Sequence, residues 1–296
     1  MTVFGKNEII GQKYFNDVKD NQLFVTSMFF TLQGEGVYAG KPALFIRLAK
    51  CNLACSFCDT FFDDGDWMTF DQVEMKIEQT IDDHFAKQKI DRPDWTRHGP
   101  LISYKKKMVL VITGGEPTLQ KNIGPFLNKM KDIFQHTQIE TNGIVFQPSI
   151  PLETTLVVSP KCLEKDGKPV RYTKPNQQVL DRAKCLKFVV TADKDSPYHT
   201  IPEWAFQWTN RGSKPIFISP MNVYNDQPKK SKLLRQSGVN RIDIDQRSTV
   251  DEIISFWEPG LLNMQANQRN HEYAAEYCVN NGFTMNLQMH LYASLA

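Results

Sequence analysis

The sequence predicts an α/β fold, a partial and open parallel β/α barrel. Short apolar runs recur along it, as at residues 108–112, 155–158 and 185–190, and unbroken apolar runs mark strands buried on both faces. Stretches with helical spacing separate several of them. Polar or glycine residues collect where the runs end, as in Thr113-Gly114-Gly115-Glu116-Pro117, Glu140-Thr141-Asn142-Gly143, Ser159-Pro160-Lys161 and Ser219-Pro220-Met221-Asn222. In parallel barrels that end of the strands carries the site. The chain holds about six such units, fewer than the eight of a closed barrel.

The elements follow in order. Residues up to Gln22 are polar and mixed and read as a loosely held arm. Residues 23–30 read as a strand that runs into Leu32-Gln33-Gly34-Glu35-Gly36, a tight loop where backbone approaches a ligand closely. Residues 43–48 form a second strand that contains Arg47. A planar cationic fork in an apolar strand requires an anion, either a carboxylate ligand or a structural acid. Residues 69–87 place Phe70, Val73, Ile77, Ile81 and Phe85 at helical spacing. Residues 87–107 read as a basic, solvated insert. Strand 108–112 ends in paired glycines expected to leave backbone groups free for a ligand, and Pro117 opens a helix over 119–134. Strands follow at 138–143, 155–158, 185–190 and 215–218. Residues 225–247 read as a second insert, 249–257 and 269–281 as helices, and 283–291 as a last strand carrying His290. One domain spanning 1–296 is expected, with its core at 23–222 plus the last strand.

Composition narrows the function class. A chain of 296 residues, 41% apolar and 23% charged, needs no disulfides to hold a core. A net charge of +2 argues against nucleic acid as the main partner. Residues 1–12 lack the apolar segment of a signal peptide, and no apolar run is long enough to span a membrane. A cytoplasmic protein with reduced cysteines is expected, and Cys162, Cys185 and Cys278 read as small buried apolar residues.

The chemistry centres on residues 50–60, Lys-Cys-Asn-Leu-Ala-Cys-Ser-Phe-Cys-Asp-Thr, where Cys51, Cys55 and Cys58 stand in a C-x3-C-x2-C spacing. Structural zinc wants four closed ligands, and a distant His84 or His98 is the available supplement. A cubane iron–sulfur cluster takes one cysteine per iron. With three, one iron stays open to a substrate or cofactor. Asp59 and Thr60 close the loop as helix caps or, for Thr60, as an oxygen near Mg2+. The triad resembles the signature of the radical-SAM superfamily, whose members reductively cleave S-adenosyl-L-methionine.

The order QGEG, triad, GGEP, ETNG, SPK closely resembles the 7-carboxy-7-deazaguanine synthase family of queuosine and 7-deazapurine biosynthesis, from about Thr31 to Lys161, with weaker likeness to His290. The resemblance implies a lyase that converts 6-carboxy-5,6,7,8-tetrahydropterin to 7-carboxy-7-deazaguanine with loss of ammonia. It implies a 4Fe-4S cluster on Cys51, Cys55 and Cys58, S-adenosyl-L-methionine on the open iron, and Mg2+ on Thr60. Gly114, Gly115, Glu116, Glu140, Ser159, Pro160, Lys161, Pro220 and Met221 are then expected around the cofactor. Leu32, Gln33, Gly34, Glu35, Thr113 and His290 are expected at the pterin, with Arg47 on its carboxylate. Arg47 and Glu116 are the expected catalytic groups. An external flavodoxin- or ferredoxin-like electron donor and a homodimer are implied partners. The alternatives are a glycyl-radical activase acting on a protein, and a zinc-containing module that binds nucleic acid through the basic inserts.

Overall fold

The computed structural model describes residues 9–58, 60, 62–99, 105–210, 214–224 and 262–289. The second insert, the helix expected at 249–257, and His290 lie outside the described residues. A nine-stranded sheet runs in the order β11-β10-β9-β6-β5-β4-β2-β1-β3. Its strands are β1 (Gln22–Leu32), β2 (Pro42–Leu48), β3 (Asp66–Thr69), β4 (Lys106–Gly114), β5 (Phe134–Thr141), β6 (Thr155–Val158), β9 (Cys185–Val190), β10 (Ile216–Pro220) and β11 (Thr284–Met285). The remaining pair, β7 (Cys162–Lys165) and β8 (Lys168–Tyr172), forms a separate hairpin. From β2 to β11 every pairing in the large sheet is parallel. Among the described residues of that sheet, β1 alone pairs antiparallel, with β2 and β3.

Strand pleating explains both faces. Met108, Leu110 and Ile112 of β4 pack toward the helices, and Val109 and Val111 toward the opposite face. The helical layer comprises α1 (Phe70–Lys87), α2 (Ile123–Met130), α3 (Gln177–Arg182), α4 (Glu203–Asn210) and α5 (Met264–Asn281). In α1 the five apolar positions expected at helical spacing are the buried ones, and Thr69 with Gln72 forms a capping box at its start. The loop after β1 crosses the opposite face, where a Cβ on Gly36 would lie 3.3 Å from Val157.

Several expectations need correction. The arm before β1 is docked from Ile9 onward: Ile10 N donates to Cys51 O, and Phe15 is buried edge-on against Trp67. The first insert is anchored too. Arg92 pairs with Glu78 and Asp82, and Lys106 buries its ammonium on Glu78. Cationic side chains with long stems read as solvated, but here their heads meet the acids of α1. The helix expected over 119–134 is shorter, because a 3-10 turn at Pro117–Leu119 precedes it. The described part of the last strand pairs only at Thr284–Met285. The residues described after Thr60 lead to β3 rather than into a helix.

Candidate functional site

The C-terminal ends of β2, β4, β5 and β6 surround one cavity, and the cysteine loop after β2 forms part of its wall. Lys50 opens that loop in a left-handed conformation, φ 73°. Its N–H donates to Phe62 O, and its ammonium lies 2.9 Å from Asp63, so the loop is pinched at its neck. Within it, Cys58 N donates to Cys55 O, and Asn142 Nδ2 donates to Asn52 Oδ1 at 2.7 Å. Cys51, Cys55 and Cys58 all line the cavity. Burial, with the Glu116 charge added, pushes the Cys51 thiol above the ordinary thiol range, and burial pushes Cys55 up to about 11. Metal loading therefore displaces protons from these two thiols.

Among the described residues, no other cysteine and no histidine lines the cavity. Cys162, Cys185 and Cys278 are buried elsewhere, as expected. His84 sits edge-on to Phe30 at 4.8 Å. Nor do three of the described His, Cys, Asp or Glu side chains stand close enough to hold one metal ion, whereas tetrahedral zinc would draw thiolates to roughly 3.8 Å from one another. Three thiols that line one cavity, with no fourth ligand among the described residues, would fit a 4Fe-4S cluster held through three irons. The zinc reading loses its fourth ligand.

The paired glycines act through close approach, not free N–H groups. Gly115 N donates to Leu48 O, and Glu116 N donates to Lys50 O, both at 2.9 Å. A Cβ on Gly115 would lie 1.9 Å from Lys50 O. The end of β4 is thus pressed against the root of the cysteine loop, which only glycine permits. Gly115→Ala is expected to destabilise the fold by about 3 kcal/mol or more, because backbone cannot yield as a side chain does. Urea unfolding of the metal-free chain and iron content after anaerobic loading measure both consequences.

Glu116 is a buried hub. Its Oε1 accepts from Thr118 N, Thr118 Oγ1 and Thr141 Oγ1, and its Oε2 accepts from Asn142 N at 2.7 Å. Burial raises its pKa, and these donors pull against that rise. Oε2 keeps a lone pair for a further donor from the cavity.

The turn after β1 lines the same cavity. Gln33 Nε2 donates to Glu140 Oε1 at 3.1 Å, and Glu35 N donates to Gln33 Oε1. Lys187 of β9 pairs with Glu35 and lies 3.7 Å from Glu140. Arg47 stands opposite Thr113 in the β2–β4 register, and its guanidinium lies over the Phe29 ring at 4.8 Å. Phe29 in turn stacks on Phe45. In the same cavity, Lys161 Nζ donates to the backbone oxygen and hydroxyl of Ser159.

The cavity therefore gathers Leu32, Gln33, Gly34, Glu35, Arg47, Thr60, Thr113, Gly114, Gly115, Glu116, Glu140, Ser159, Lys161 and Pro220 with the three cysteines. Pro160 and Met221 do not line it. Met221 instead bonds through its backbone to Val190 and Asn270. Lys187, Asn142, Asn222 and Gln288 line it without having been expected. Asn142 sits inside the ETNG motif, so its position alone marked it. Lys187 lies inside an apolar strand, as Arg47 does, and the same signal applied to it.

No family model matches the chain. It is 36% identical over 203 residues to the 7-carboxy-7-deazaguanine synthase of Rickettsia prowazekii, across 68% of this chain and 74% of that one. It is 28% identical over 232 residues to the 7-carboxy-7-deazaguanine synthase of Rhodospirillum rubrum, across 74% and 82%. Its fold is similar to the crystal structure of QueE from Escherichia coli, with a TM-score of 0.52, 21% identity, and coverage of 95% of this chain and 99% of that one.

Proposed function

The chain belongs to the 7-carboxy-7-deazaguanine synthase family, and from that premise we propose that it rearranges 6-carboxy-5,6,7,8-tetrahydropterin to 7-carboxy-7-deazaguanine with loss of ammonia. The observation that carries the reading is that Arg47 and the Gln33–Glu35 turn face the same cavity as the cysteine triad. Neither the relatives nor the cavity favours a glycyl-radical activase.

Cys51, Cys55 and Cys58 would hold a 4Fe-4S cluster. Gly114, Gly115, the open lone pair of Glu116, Ser159 and Lys161 would flank S-adenosyl-L-methionine. When bound, these groups supply one-electron cleavage of a sulfonium and thereby a hydrogen-abstracting radical. The chain's own work is positioning. Arg47 clamps the substrate carboxylate with its two-pronged fork. Glu35 and Glu140, gathered by Lys187, offer acceptors to the amino-pyrimidinone edge, and Gln33 fixes Glu140 in place. Thr113 contacts the ring beside Arg47. Thr60, whose backbone oxygen lies 3.5 Å from the Cys58 thiol, would offer an oxygen to Mg2+.

The proposal extends to one domain, a homodimer, and a flavodoxin- or ferredoxin-like donor. Among the described residues no helix is long and apolar enough to cross a membrane. The free cysteines suit the reducing cytoplasm. The test is anaerobic turnover: reconstituted chain, carboxytetrahydropterin, S-adenosyl-L-methionine and dithionite are expected to release 7-carboxy-7-deazaguanine and ammonia. An intact cluster with no such product would overturn the reading.

A further inference from the structure

The β7–β8 hairpin contributes Cys162 through Tyr172, a stretch to which the proposed reaction assigns no residue. Its turn, Asp166-Gly167, has φ of 52° and 73°, as a type I′ hairpin requires. Cys162 pairs with Tyr172, Leu163 with Arg171, and Lys165 with Lys168. Side chains alternate across a strand and paired residues share a face, and the register shifts once, between Leu163 and Glu164, with Val170 as the extra residue. Cys162, Glu164, Pro169 and Tyr172 therefore share one face, and Leu163, Lys165, Lys168 and Arg171 share the other.

The inner face is fastened to the cysteine loop. Glu164 Oε1 accepts from Ser56 N at 2.7 Å and from Ser56 Oγ at 3.0 Å. Ser56 lies between Cys55 and Cys58. Cys162 N donates to Tyr198 Oη, and the Tyr198 ring meets Phe57 edge-on at 5.0 Å. The hairpin therefore touches both residues between the second and third cysteines, one directly and one through Tyr198.

The outer face has a different chemistry. Lys165, Lys168, Arg171 and the following Lys174 are exposed, against a single exposed acid at the turn, Asp166. Among them Leu163 and Val170 are 48% and 51% exposed. A solvated hairpin has no need of two exposed aliphatics among its cations. That arrangement is the anatomy of a small, transient protein interface steered by charge, and electron-transfer encounters occupy the smallest interfaces.

We propose that the outer face of this hairpin docks an acidic one-electron carrier protein and that the electron enters the cysteine loop there. This rests on the cluster reading. The carrier is oxidised by one electron and the cluster reduced by one, with no bond formed or broken and no proton moved.

The test uses the full, cluster-loaded chain. A triple variant, Lys165→Glu, Lys168→Glu and Arg171→Glu, is mixed with reduced flavodoxin or with dithionite, and bleaching of the cluster absorbance is timed at low and high salt. A control triple, Lys87→Glu, Lys89→Glu and Arg97→Glu, makes the same change of net charge on exposed residues that do not line the cavity. The hairpin variant is expected to be reduced by flavodoxin about tenfold or more slowly at low salt, converging with wild type at high salt. Its dithionite rate, and both rates of the control, are expected to stay unchanged. Equal slowing of both triples, equal slowing with dithionite, or no slowing would overturn the docking site. If dithionite bleaches nothing in the wild-type chain, the cluster reading fails, and the inference with it.

Discussion

Cys51→Ala, Cys55→Ala and Cys58→Ala are each expected to give a folded, colourless chain with no measurable turnover. Cys162→Ala, Cys185→Ala and Cys278→Ala are expected to stay brown and active. The two sets separate because only the first lines the cavity, although Cys51 and all of the second set are buried. Burial alone therefore does not distinguish a ligand from a packing residue here. Truncating a buried thiol costs on the order of 1 kcal/mol, which the fold tolerates. A cluster with three protein ligands cannot lose one without exposing a second iron. Iron and sulfide counts after anaerobic loading, read beside the far-ultraviolet circular dichroism, test this directly. Iron loss in Cys162→Ala would mean a fourth thiolate at the cluster, and the open coordination position that the proposed chemistry needs would not exist.

The core strands were legible because parallel strands buried on both faces have to be written as apolar runs: residues 108–112 of β4 are unbroken, β6 is apolar after Thr155, and β9 is broken only by Lys187. The cysteine loop and the motifs at the strand ends were legible for a related reason: glycine, proline and charge there interrupt the apolar runs without continuing a helix. What the sequence hid was partnership across long separations. Nothing near Glu116 announces that Thr141 and Asn142 donate to it. Glu164 looks like one more charge in a polar stretch until Ser56 is brought to it. The β7–β8 hairpin did carry a local sign, Asp166-Gly167 between short alternating segments, but it stands among basic residues and no element was expected there. Arg92 and Lys106 misled in the same way, since a buried cation differs from a solvated one only by the acid opposite it.

Arg47→Ala is expected to lower kcat/KM for the carboxylated pterin by roughly 10²- to 10³-fold, while the cluster loads normally. A charge-assisted hydrogen bond contributes about 1.5–3 kcal/mol, and two parallel bonds from one fork reach about 3–4 kcal/mol, at 1.4 kcal/mol per tenfold. The geometry favours the fork over a simple charge. Arg47 lies on the Phe29 ring, and Phe29 lies almost parallel to Phe45, so the guanidinium rests on a rigid aromatic stack. A lysine keeps the charge but neither lies flat on Phe29 nor grips two oxygens at once. Arg47→Lys is therefore expected to recover only part of the loss, mostly in kcat rather than KM. A substrate analogue carrying a neutral carboxamide separates recognition from folding. Wild type and Arg47→Ala are expected to bind it with nearly equal affinity, because the anion that Arg47 serves is gone. A variant that loses affinity for acid and amide by the same factor relative to wild type, or that loses iron, would make Arg47 a structural support of the β2–β4 pair, and the substrate carboxylate would need another partner in the cavity.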